Sequence, residues 1–156
     1  MSTNKFNLFL ENARLLSEKF GIVPLLYGSL GLEHLTGEAL GADDIDILIP
    51  RAFITERWQK FKAVLETQGY VLTDAHEHTF VRDGVACSYA DIEDLESFAG
   101  IRAEDIETHE VNGVRFLLLS LEQYLTVYKR SSMDGYRVNV RQKKDAEKIR
   151  FIESKL

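Results

Sequence analysis

From residue 4 to residue 20, apolar positions recur every third or fourth residue. Phe6, Phe9, Leu10, Ala13, Leu16 and Phe20 form one stripe, which predicts an amphipathic helix. Thr3 or Asn4 can cap its start, and Gly21 ends it. Residues 22–27 read as a short strand. Pro24 has no N–H to give, so the strand is expected at an edge or irregular near its start. A short helix over 29–35 closes at Thr36-Gly37. After a glycine-containing loop, residues 43–49 alternate as a second strand, and Pro50 stops it. Residues 52–68 carry Ile54, Trp58, Phe61 and Leu65 on one helical face, with Gly69 at the end. Strand character returns at 70–73 and 79–81. Arg82-Asp83-Gly84 then makes a hairpin turn into a longer strand over 85–92. Residues 93–106 are acidic and read as short helical turns. Asn112-Gly113 is the strongest hairpin turn in the chain and leads into 115–119. Ser120 to Gln123 is a capping box for a helix presenting Leu121, Tyr124, Leu125 and Tyr128. A last helix, about 142–155, presents Ile149, Ile152 and Leu156. Strands and helices alternate without strict βαβ order. The expectation is one α+β domain over 1–156, with a mixed sheet flanked by helices. The helix at 1–20 and the helices of 120–156 should pack on that sheet.

The 156-residue length suits one domain with a real core. One cysteine, Cys87, excludes an internal disulfide framework. It has no evident catalytic partner and reads as a small buried residue. No apolar run is long enough to cross a membrane, and the first residues lack a signal-peptide pattern. A cytoplasmic protein is expected. The net charge of −6 is uneven. Residues 129–156 hold 9 basic and 4 acidic side chains, or +5, and residues 1–128 hold 10 and 21, or −11. Overall acidity argues against an extended nucleic-acid surface, which must neutralise many phosphates. The basic end can pair with the acidic body or meet a nucleotide's phosphates.

The second strand carries the chemistry. Side chains two apart on a strand share a face. Asp44 and Asp46 therefore go with Leu48, while Ile45, Ile47 and Ile49 line the other side. Two adjacent carboxylates repel. A divalent cation resolves the conflict, and Mg²⁺ favours carboxylate oxygens together with phosphate oxygens. Gly28-Ser29 ends the first strand. Gly28 permits a sharp turn and a close ligand approach, and Ser29 is expected to cap the following helix. That helix's N-terminus offers N–H groups to phosphate. His76-Glu77-His78 lacks a third nitrogen or sulfur ligand nearby and reads as solvated loop.

Tyr27-Gly28-Ser29 followed by Asp44-Ile45-Asp46 resembles the nucleotidyltransferase superfamily related to DNA polymerase beta. The chain looks most like its small bacterial members, which include aminoglycoside and lincosamide nucleotidyltransferases and abortive-infection-type toxins. The resemblance covers roughly residues 20–155. It implies a mixed-sheet α+β fold and transfer of a nucleoside monophosphate from an NTP, with Mg²⁺ or Mn²⁺, to a hydroxyl. The acceptor would be a small molecule, a protein side chain or a tRNA end. Lys129 and the Lys144-Asp145 step match the family's C-terminal helices, and Lys129 and Lys144 are the expected triphosphate cations. Lys143 and Arg141 are equally available. Two metals about 3.5–4 Å apart steady the attacking and leaving oxygens, and a third carboxylate from a neighbouring strand would complete their site. Asp91 is the choice, with Glu93 and Asp94 as alternatives. The expected ligands are then Asp44, Asp46 and Asp91. The rival readings are a nucleotide-binding or regulatory domain without turnover, and a toxin–antitoxin component acting through a partner protein. The small size also suggests that a homodimer or a partner completes the pocket.

Overall fold

A computed structural model describes residues 2–133 and 139–156. In chain order the elements are α1 (Ser2–Phe20), β1 (Leu25–Tyr27), α2 (Gly28–Thr36), β2 (Ile45–Ile49), α3 (Trp58–Thr67), β3 (Val71–Asp74), β4 (Thr79–Arg82), β5 (Val85–Asp91), α4 (Asp94–Ala99), β6 (Glu107–Val111), β7 (Val114–Leu118), α5 (Leu121–Ser132) and α6 (Asn139–Lys155). The strands form one sheet in the order β3-β4-β5-β2-β1-β7-β6. β2 runs parallel to β5, and β1 runs parallel to β7. The other neighbours are antiparallel. This is the α+β mixed sheet that the sequence predicts.

Alternation along β2 sorts the core into two layers. Ile45, Ile47 and Ile49 are fully buried in a cluster with Phe9 and Leu16 of α1 and Phe61 of α3. Leu48 joins Leu95 of α4, Tyr124 and Val127 of α5 and Ile152 of α6 on the opposite face. Each fully buried aliphatic side chain contributes about 1.5–3 kcal/mol. A one-residue slip of β2 would exchange the two sets. Both predicted hairpin turns are present. Asp83-Gly84 and Asn112-Gly113 take φ of 52° and 75°, and of 53° and 77°, which matches the turn type that needs positive φ at both central residues. The Ser120 capping box is also formed, with Gln123 N donating to Ser120 Oγ at 3.1 Å and Ser120 N donating to Gln123 Oε1 at 3.0 Å.

Several boundaries differ from expectation. β1 begins at Leu25 and lies inside the sheet rather than at its edge. Pro24 stands just ahead of the strand, so its missing N–H breaks no ladder, and its carbonyl accepts from Leu117 N at 2.8 Å. The predicted 52–68 helix is split into a 3-10 turn at Arg51–Ile54 and α3. The acidic segment folds as α4 and a second 3-10 turn at Ala103–Asp105, the short helical turns that its sequence predicts. α6 starts at Asn139, so Lys144 and Asp145 do not open it. Asp145 is 1% exposed and accepts from Ser131 Oγ of α5 at 2.8 Å. It joins the two helices. The side chains of Thr3, Asn4, Arg141 and Lys143 lie outside the described residues.

The histidine pair stands in the turn between β3 and β4. His76 is exposed, while His78, at φ 54°, packs edge-on against Trp58 at 4.8 Å. Burial holds the His78 imidazole below its ordinary value of 6.5, with His76 adding and Glu77 opposing. The unfolded chain therefore binds the proton more readily. Stability from this site is present above pH 6.5 and is lost as pH falls through the lower folded value. Thermal melts at pH 7.5 and pH 5 should show a larger acid loss in wild type than in His78→Asn, since Asn tolerates positive φ and does not titrate. Equal losses would rule His78 out as a source of acid lability.

Candidate active site at the start of the second helix

β1 ends at Tyr27, and the chain turns at Gly28 with φ +67°. Tyr27 is the Cα partner of Asp46 across the antiparallel β1–β2 pair. Asp46 therefore lies directly beside the first turn of α2. A Cβ on Gly28 would stand 2.7 Å from Asp46 Oδ2. Backbone angle and carboxylate both require glycine here. Gly28 is the first residue of α2 and Tyr27 its N-cap, with no side-chain capping bond. Ser29 is thus the second helical residue and not the expected cap.

Asp44 is exposed just ahead of β2, and Asp46 is half-buried within it. Both act on the Cys87 thiol, which burial pushes up to about 12; Arg82 opposes the shift, and Asp44 and then Asp46 add to it. Cys87 is buried, as its sequence context suggests. Over the same corner lies Tyr124 of α5. Its hydroxyl donates to the Gly28 carbonyl at 2.9 Å. Its ring stacks on Tyr128 at 6.1 Å and 14°. Burial holds the Tyr124 phenol well above its ordinary range, with Tyr128, Tyr27 and Asp46 adding in that order. Sequence periodicity reads Tyr124 and Tyr128 only as apolar face. Their hydroxyls were the signal for more, since buried tyrosine needs a polar partner.

The third carboxylate is not where it was expected. In the parallel β2–β5 pair, Ile45 matches Cys87, Asp46 matches Ser88, Ile47 matches Tyr89 and Ile49 matches Asp91. Partners in register share a face. Asp91 therefore goes with the isoleucines, away from Asp46. It is 7% exposed. Its Oδ2 is ion-paired to Arg51 Nε, and its Oδ1 accepts from Glu93 N at 2.8 Å. The alternatives Glu93 and Asp94 meet the same guanidinium at 3.9 and 3.4 Å. The Asp91 hydrogen bond is the largest cause of the raised Arg51 pKa. On the Asp46 face, the β5 position is filled by Ser88. Its hydroxyl shares a 2.7 Å hydrogen bond with Thr79 Oγ1 of β4. Among the described residues, no three His, Cys, Asp or Glu side chains are grouped to hold a metal ion.

The expected cations sit at the helical layer. Lys129, in the last turn of α5, is half-exposed and pairs with Glu153 Oε2 of α6 at 3.7 Å. Lys144 is exposed on α6. Neighbouring Asp145 points into the α5–α6 contact, so Lys144 projects to a different side of the helix. A cavity of about 360 Å³ lies elsewhere, lined by Phe6, Leu30, Glu33, His34, Gly37 and Glu38 at the far end of α2. It shares no lining residue with the Asp44–Asp46 corner. No helix among the described residues is long and apolar enough to cross a membrane.

The chain is 41% identical over 147 residues to the uncharacterized protein YnaI of Bacillus subtilis (strain 168), covering 94% of each chain. No protein-family model matches it. The fold is similar to the solution structure of the antibiotic-resistance factor ANT(2'')-Ia, with a TM-score of 0.55 and 14% identity over 99% of this chain and 91% of that one. It is also similar to a crystal structure of ANT(2'')-Ia in complex with adenylyl-2''-tobramycin, with a TM-score of 0.51 and 12% identity over 94% of each chain. An antigenic nucleotidyltransferase-like protein from Paracoccidioides brasiliensis gives a TM-score of 0.61 and 17% identity, over 94% of this chain and 73% of that one.

Proposed function

The chain belongs to one family with YnaI and has the nucleotidyltransferase fold, and on that footing we propose that it binds an NTP at the Asp44–Asp46 corner and transfers its NMP to an acceptor hydroxyl. The observation that carries this reading is the placement of Asp46 against Gly28 at the start of α2. A carboxylate strand and a close-approach glycine at a helix N-terminus meet in one spot. That combination suits a nucleotide's phosphates with a hard cation.

Asp44 and Asp46 would hold the Mg²⁺. Two carboxylates with substrate phosphates are a usual magnesium set, so the residues fit one ion. When bound, such an ion neutralises phosphate charge and orients the α-phosphoryl group. Gly28 leaves room for the phosphates beside the first turn of α2. Tyr124 fixes the Gly28 carbonyl and with it the shape of that turn. Lys129 would serve the outer phosphates. Its exposed pair with Glu153 is of a kind worth little, so a triphosphate can replace that partner. In the transfer, the acceptor oxygen bonds to the α-phosphorus. The bond to the bridging oxygen breaks, and pyrophosphate leaves with the electron pair. The hydroxyl proton passes to solvent. A fold shared with a protein crystallised with adenylyl-2''-tobramycin supports a small-molecule acceptor. A protein side chain or a tRNA end remains in the proposal, as does a second copy of the chain or a partner protein to complete the pocket.

Calorimetric titration with Mg²⁺ and a nonhydrolysable NTP tests the reading. Wild type should bind. Gly28→Val places a side chain on the Asp46 carboxylate at a strained φ, a cost of about 1–3 kcal/mol. Affinity should fall about tenfold or more. Unchanged affinity in a folded Gly28→Val protein would reject the phosphate-cradling corner.

A further inference from the structure

The parallel register between β2 and β5 has a consequence for metal stoichiometry. Adjacent strands lie about 4.8 Å apart, so residue 88 is the β5 position that stands beside Asp46 on the same face. A carboxylate there would share a cation with Asp46. The residue is Ser88, neutral and already hydrogen-bonded to Thr79. On this face its β5 neighbours two residues away are Ala86 and Ala90, which carry no ligand atom. The carboxylates that β5 and its following turn do supply, Asp91, Glu93 and Asp94, are gathered around Arg51, and Asp91 lies on the opposite face of the sheet. Two cations about 3.5–4 Å apart need oxygen donors on both sides. Asp44 and Asp46 supply one side only.

We infer that this corner holds a single divalent cation, the one carried in with the nucleotide's phosphates, and that Ser88 is the residue that withholds a second site. The inference rests on the nucleotide-binding reading above. It means that the nucleotide side of the reaction is equipped and the acceptor side is not. Any activation of the acceptor hydroxyl must then come from the acceptor itself, a partner or solvent. The chain should bind a metal–nucleotide more effectively than it turns it over.

Mn²⁺ makes the count measurable. Bound Mn²⁺ per bound nonhydrolysable ATP analogue is read by electron paramagnetic resonance, with nucleotide binding followed by calorimetry on the same samples. Wild type should give one Mn²⁺ per nucleotide. Ser88→Asp should give two, and Ser88→Ala should stay at one. Two ions in the wild type would overturn the inference while sustaining the nucleotide reading. One ion in a folded, nucleotide-binding Ser88→Asp protein would overturn position 88 as the determinant. Absence of nucleotide binding in the wild type would reject the parent reading itself. If Ser88→Asp does not fold, the wild-type count and the Ser88→Ala count still decide.

Discussion

Asp44→Asn combined with Asp46→Asn should abolish the Mg²⁺-dependent part of the stabilisation that a nonhydrolysable NTP gives the wild type. At a ligand concentration a hundred times its dissociation constant, binding to the folded state adds about 2.7 kcal/mol. For a chain of this size that is roughly 5–10 °C in Tm. The double variant should fold as well as wild type without ligand. Asp44 is exposed and Asp46 half-buried, and Asn keeps their shape. Thermal melts with NTP and Mg²⁺, NTP and EDTA, and neither would separate the contributions. A variant with the same Mg²⁺-dependent shift would move the cation away from this corner.

The largest effect on stability is expected one turn further along α2. Gly31 lies under α5, and a Cβ there would fall inside contact distance of Tyr124 Oη and 2.7 Å from the Leu26 carbonyl oxygen. The carbonyl belongs to β1 and cannot move alone. Gly31→Ala should therefore overpack the helix–strand contact, at about 1–3 kcal/mol. Displacing Tyr124 also breaks its hydrogen bond to Gly28, adding roughly 1 kcal/mol. The sum, about 2–4 kcal/mol, lowers Tm by roughly 5–15 °C. Pairing the change with Tyr124→Phe removes the hydroxyl that collides. The double variant should then be less destabilised than the two single variants added together, with a coupling of about 0.5–3 kcal/mol. Simple additivity in denaturant titrations would show that Tyr124 and Gly31 do not share this contact.

What the sequence made legible was local. The isoleucine face of β2, the two glycine hairpins and the Ser120 capping box all depend on residues within a few positions of one another. The spacing of Asp44 and Asp46 is local too, with Asp46 in β2 and Asp44 just ahead of it. The third carboxylate was not. Alternation along β5 says that Cys87, Tyr89 and Asp91 share a face. It does not say which face meets Asp46, because that depends on register between strands some forty residues apart. Ser29 looks like a cap because it is a serine after a glycine, whereas the helix already begins at Gly28 with Tyr27 as its N-cap. Asp145 lies in the helix body against Ser131 because α6 begins earlier than its apolar spacing suggests.

The sheet order also bears on how the protein is made. β3, β4 and β5 form a meander of neighbours in sequence, and β6 and β7 form another. The two are joined in space through β2 and β1, where Leu25 must find Leu117. Pairings this distant in sequence are slow, because the loop must close before the contact stabilises it. On the ribosome, β1 would emerge early and stay an open edge until β7 followed. Tyr124, which locks the Gly28 turn, comes later still. The Gly28–Asp46 corner is therefore among the last parts of the chain to assemble, and an arrested chain ending before Val114 would expose an unpaired apolar strand prone to edge-to-edge association.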